Sequence, residues 1–174
     1  MPTELILPFC ILFGLVNFGL IARWYVIPAL DALPREQALT PLLLFHTFRY
    51  VGLAFLIPGV VAGSVAPAFA QPAAYGDLVA ALLALLAVVA LRQRWPYTTV
   101  LVWVFNIAGT LDLLNALFQR VRHVPTGDLG GAYLVPALYV PALLVSHYVI
   151  FRLLAVPSEG YAGSGDALGD SPMS

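Results

Sequence analysis

Lysine is absent from this 174-residue chain, and all eight basic residues are arginines. Without lysine there is no Schiff-base chemistry of the retinal type and no lysine-dependent phosphate loop. Charge of either sign is scarce: Asp, Glu and Arg make up 10% of the residues, whereas a soluble domain carries about 25%. The formal net charge of -1 and the lack of a basic tract give no footing for nucleic acid. The single cysteine, Cys10, excludes an intramolecular disulfide, and its apolar neighbours read as the setting of a buried, inert thiol. No HExxH, CxxC, GxSxG or glycine-rich phosphate loop occurs. These absences assign no catalytic residue and weigh against an enzyme.

Apolar residues are abundant instead. They form 61% of the chain, and mean hydropathy is +0.91, more than a soluble fold of this size can hide from water. The expected fold is an all-α integral membrane protein, a bundle of five transmembrane helices with lipid as its solvent. Spans are expected over about 5–30, 40–64, 74–92, 96–119 and 132–155 in one domain, 1–156, followed by a flexible Gly/Ser-rich tail, 157–174. Thr40-Pro41 reads as an N-cap followed by proline at the first helical position. The stretch APAFAQPAAYG, residues 66–76, reads as an interfacial loop, with Asp77 capping a short third span. Gly59 and Gly63 form a weak GxxxG packing pattern, and Pro136 and Pro141 predict kinks in the fifth span.

Arginine counts orient the chain. Arg23, Arg35, Arg92, Arg94 and Arg152 flank one side, and Arg120 and Arg122 the other. The positive-inside rule then places the N-terminus outside and the tail in the cytoplasm. Arginine used to the exclusion of lysine is the codon bias of a GC-rich bacterial genome, so the expected location is a bacterial inner membrane.

Within the second span His46 and Arg49 stand one turn apart. A charge at that depth costs roughly 2.5–3.5 kcal/mol on insertion scales and needs a partner, a wet cavity or a function. At 1.5 Å per residue, Arg23, His46, Arg49, Asn106 and His147 fall in one layer contributed by four helices. Asp112 lies roughly 10 Å further out, within reach of Arg49 as a counter-ion. Asp112, Asn115 and Gln119 share one helical face, expected to point into the bundle. Asn17 suits an interhelical hydrogen bond, and Arg23 a snorkelling anchor.

The leading expectation is a pocket of His46, Arg49, Asn106, Asp112, Asn115 and His147 that binds a small anionic or amphipathic ligand, lipid or quinone-like. The alternatives are a structural or accessory subunit with no ligand and no cofactor, a b-type haem held by His46 and His147, and a small oligomeric transporter or intramembrane enzyme. A metal site of two histidines and one acid is disfavoured because Asp112 lies too far from both rings in depth. Expected partners are the bilayer, a small hydrophobic or anionic ligand, and a second copy or another membrane subunit.

Overall fold

The computed structural model describes residues 2–61, 67–123 and 128–156. The expected tail, 157–174, and Gly63 lie outside the described residues. Five helices among them are long and apolar enough to cross a membrane. They are α1 (Glu4–Asp31), α2 (Arg35–Leu56), α3 (Pro67–Arg92), α4 (Thr98–His123) and α5 (Gly130–Ala155). The fold is all-α, as the composition demands: in hydrocarbon every backbone N–H and C=O must be satisfied within its own segment.

Helices α2, α3, α4 and α5 close a ring in which α2 packs on α3, α3 on α4, α4 on α5 and α5 on α2. α1 rides outside, on α5. Its most apolar stretch is 11% buried, against 28–50% for the other four helices, so α1 turns most of its surface outward. One apolar cluster, including Leu39, Leu42, Leu43, Val102, Phe105, Val149, Ile150 and Leu153, fills the half of the ring nearest the α1–α2 turn. A second, with Leu7, Phe55, Phe69, Ala73 and Leu129, fills the opposite half. There the α2–α3 turn meets the start of α5, where the Gly131 N–H donates to the Val60 carbonyl at 3.0 Å. Gly130 is at φ +49°, and a Cβ there would stand 2.5 Å from that same carbonyl oxygen, so a side chain at this position has neither space nor a favoured backbone.

Three helices depart from regular α geometry, each for an identifiable reason. α1 widens to a π-turn over Ala22–Val26 just before Pro28, and α5 does so over Val135–Tyr139 just before Pro141. A proline lacks the N–H for the i−4 carbonyl and crowds it, and the wider turn accommodates both defects. The kinks expected at Pro136 and Pro141 thus take the form of a π-segment. α2 is α-helical to Thr47 and then tightens to a 3-10 helix from Phe48 to Leu56. At three residues per turn, Arg49, Gly52 and Phe55 eclipse one another, and these three are its buried residues.

Several expected boundaries are corrected. α2 begins at Arg35 behind Pro34, and Thr40 lies inside it, its hydroxyl donating to the Glu36 carbonyl at 2.8 Å. Thr40 is therefore no N-cap. α3 starts ten residues before Asp77, which stands in mid-helix and caps nothing. The uncharged 66–76 stretch has no polar reason to leave the hydrocarbon, and a backbone that stays there must be helical. Gly59 is a turn residue at φ +86° with open space about it, so it forms no packing seam.

Candidate functional site

The eclipsed face of the 3-10 segment aims Arg49 into the middle of the ring, where it is 0% exposed. All three guanidinium nitrogens are engaged. Nε donates to Asp77 Oδ1 at 2.8 Å, Nη1 to the Gly109 carbonyl at 3.1 Å, and Nη2 to Asp112 Oδ2 at 2.5 Å. Nη2 also lies 2.8 Å from Asp77 Oδ1. Three helices thus meet at one cation. The planar fork of arginine suits this geometry, since its donors splay in fixed directions.

Glycines make the room. A Cβ at Gly52 would overlap the Asp77 carboxylate, and one at Gly76 would overlap that of Asp112. One at Gly109 would stand 2.8 Å from His147 Cε1 and 2.9 Å from Arg49 Nη1. Each helix facing Arg49 therefore drops its side chain where a charged group passes.

Next to this centre lies a neutral polar group. His147 Nδ1 is 2.6 Å from Asn106 Oδ1, while Asn106 Nδ2 donates to the His147 carbonyl at 3.2 Å. The amide nitrogen is spent on the carbonyl, so the amide oxygen is the acceptor and Nδ1 carries the hydrogen. Nε2 is left as a buried lone pair with no partner among the described residues. His46 Nε2 pairs with Ser146 Oγ at 3.2 Å, and its Nδ1 likewise has no partner there. The centres of the two imidazoles lie 4.1 Å apart with the rings tilted by 41°, and Phe105 stands beside them.

His46, Arg49, Asn106 and His147 come together in the interior, and Asp112 reaches Arg49, as the sequence leads one to expect. Others do not join them. Arg23 is exposed beside a groove between α1 and α5, and Asn17 is exposed and, among the described residues, bonded only to Phe13 of its own helix. Asn115 is also exposed: the Asp112–Asn115–Gln119 face lines a shallow notch between α3 and α4 on the outside of the ring. Only Asp112 turns inward from it. Beyond Arg49 the interior is taken by Phe55, Phe69, Leu113 and the buried Arg120, so the amides of this face have no place in it.

Asp77 is the residue that sequence reasoning missed. Two signals pointed to it. A third span begun at Leu78 is too short to cross the bilayer, and an arginine at mid-depth calls for every acid within reach to be counted.

The haem alternative does not fit. Bis-His ligation sets the imidazoles on opposite faces of a porphyrin. Two metal–nitrogen bonds of about 2 Å in line set the ligating nitrogens about 4 Å apart and the ring centres further apart still, whereas these ring centres lie only 4.1 Å from each other. Among the described residues no three His, Cys, Asp or Glu side chains converge as metal ligands.

Two cavities approach the acids, both from the side of the α2–α3 turn. One of about 30 Å³ touches Asp77, Arg120, Phe55 and Leu113, and a notch of about 10 Å³ touches Asp112, Asn115 and Gln119. Towards the other end the apolar cluster around Leu43 and Phe105 closes the ring. Beyond it, a basin of about 860 Å³ opens among Asp31, Arg35, Glu36, Arg94 and Thr98 without touching the centre.

Fold and site together define a class: an all-α five-helix bundle, its helices long and apolar enough for a membrane, built round a buried arginine held by two aspartates. The chain belongs to a family described as a domain of unknown function, DUF8737, which matches residues 6–155. No curated protein and no solved structure matches it.

Proposed function

We propose that the Arg49–Asp77–Asp112 centre is a proton-exchanging site of a small multi-pass membrane protein, of the kind that serves proton-coupled transport. The observation that carries this reading is a charge count. Two carboxylates share one guanidinium at mid-depth, so the centre is neutral only when it takes up one further positive charge. Uncompensated charge there is costly enough that a proton is the natural remedy, and intramembrane acids of this kind mark proton and ion paths. The two small cavities supply access from the α2–α3 side. On the arginine asymmetry that side is external, with the N-terminus outside, the tail cytoplasmic and a bacterial inner membrane as the location. Reporter fusions at both termini test the orientation.

An anionic, lipid or quinone-like ligand seated on Arg49 is supported less well, because Asp77, Gly109 and Asp112 already occupy its three nitrogens. The same occupancy favours, as second reading, a permanent staple with no exchange. Infrared difference spectra between acid and alkaline buffer, on protein in lipid, separate the two. A proton site gives a carboxyl C=O band that Asp77→Asn or Asp112→Asn removes. A band absent from the wild type, or unchanged in both variants, leaves only the staple.

A further inference from the structure

Polar side chains in mid-membrane belong to a bundle interior or to an interface between helices, because acyl chains offer them no hydrogen bond. Two sets break that rule here. On α1, Asn17 is exposed, and its amide spends one N–H on the Phe13 carbonyl at 2.8 Å, leaving the other N–H and the oxygen for a partner. On the outside of α4, Asn115 is exposed, Gln119 is partly so, and the Asp112 side chain keeps 22% of its surface although Arg49 holds one of its oxygens.

The sets match in depth. Asn17 lies fourteen residues before the end of α1 at Asp31, and Asp112 fourteen after the start of α4 at Thr98, and both ends face the same side. At 1.5 Å per residue each is about 21 Å from that side. They also match in chemistry. Asp112 offers acceptor lone pairs whether or not the centre holds an extra proton, Asn17 has an N–H to give, and the Asn115 and Gln119 amides do both. The receiving surface is the notch between α3 and α4 among Phe69, Pro72 and Ala116. It lies across the ring from α1, which packs chiefly on α5.

We infer that copies of this chain associate head to tail in the membrane, with Asn17 of one copy docked against the Asp112–Asn115–Gln119 face of the next. Both halves of the contact are on one chain at one depth, so a second copy satisfies them without any other protein. The contact is heterologous: the donor patch and the receiving patch are different surfaces, and repetition closes a ring or extends a row. The neighbouring Asn17 then completes the shell of Asp112. The inference stands apart from the proton reading, since assembly and protonation are read by different measurements.

The test is cross-linking of the full chain in native membranes, in a Cys10→Ala background. Leu20→Cys and Leu111→Cys, at exposed positions one turn from Asn17 and Asn115 that leave both amides in place, are made on separately tagged copies and co-expressed, and a double variant is made alongside. The expected result is a 20–111 dimer from the mixture, a ladder of multimers from the double variant, and no product from either variant alone. Native mass spectrometry of Asn17→Leu should show oligomer converted to monomer, with the far-ultraviolet dichroism of the wild type. A 20–20 product, cross-links only to other proteins, or a wild-type chain that leaves the membrane as a monomer together with no 20–111 product from the mixed variants overturns the inference.

Discussion

Replacing Gly52 by alanine tests the packing of the charged centre directly. The new Cβ would stand 2.7 Å from both Cβ and Cγ of Asp77 and overlap the carboxylate. Turning the carboxyl aside does not relieve the contact with Asp77 Cβ, which is fixed to the backbone of α3. The two helices must separate, and the 2.8 Å bond from Arg49 Nε to Asp77 opens with them. Overpacking of this kind costs about 1–3 kcal/mol, and loss of a hydrogen bond to a charged group about 1.5–3 kcal/mol. Alanine returns at most about 1 kcal/mol through helix propensity. The expected net loss is about 1.5–5 kcal/mol, read as a shift in the unfolding midpoint when a denaturing detergent is titrated into mild micelles. Gly19→Ala is the control: nothing lies within 4 Å of its Cβ, so propensity alone acts and the variant should be neutral or up to about 1 kcal/mol more stable. A Gly52→Ala protein within 0.5 kcal/mol of wild type (below the smallest of these terms) would refute the assignment of Gly52 as the gap through which Arg49 and Asp77 meet.

Arg49→Gln alone strands two acids and should cost about 3–5 kcal/mol. Adding Asp77→Asn and Asp112→Asn should recover much of that in the same titration, and a triple variant less stable than the single one contradicts the charge count. Asn106→Ala leaves the His147 N–H and carbonyl without their partner and should cost about 1–3 kcal/mol, accompanied by a shifted imidazole resonance of His147. Asp31→Asn breaks the 2.6 Å pair with Arg152, but both side chains are more than a third exposed. Its loss should stay within about 1 kcal/mol and shrink further with added salt.

Helix number and the main polar layer were legible because hydrocarbon imposes strict rules. Apolar runs of sufficient length could only be spans, and the depth arithmetic grouped His46, Asn106 and His147 with Arg49 before any contact was known. The same arithmetic could not show rotation about a helix axis. Asn115 and Asn17 share depth with buried groups yet face outward, and one sequence carries no sign of which face of a helix is lined by neighbours. The 3-10 segment was equally hidden, since FRYVGLAFL reads as an unremarkable apolar helix. What fixes its winding is the need to bring Arg49, Gly52 and Phe55 onto one line. Asp77 failed for a different reason: Pro72 and the alanines about it look like a connection, although a chain that remains in lipid has little choice but to stay helical.

The tight winding of α2 also bears on length. Nine residues at about 2.0 Å each, instead of 1.5 Å, give this helix roughly 4–5 Å more reach than an α-helix of equal size. Relaxing the segment to α geometry would shorten it by that amount and carry Gly52 and Phe55 round the axis, away from the line they share with Arg49. The thickness of the surrounding bilayer, to which helices adjust at a modest cost per ångström, is thereby linked to the seating of one guanidinium between two acids. A thin membrane favours the short form and loosens Asp77, and a thick one holds the segment stretched and the three charges together.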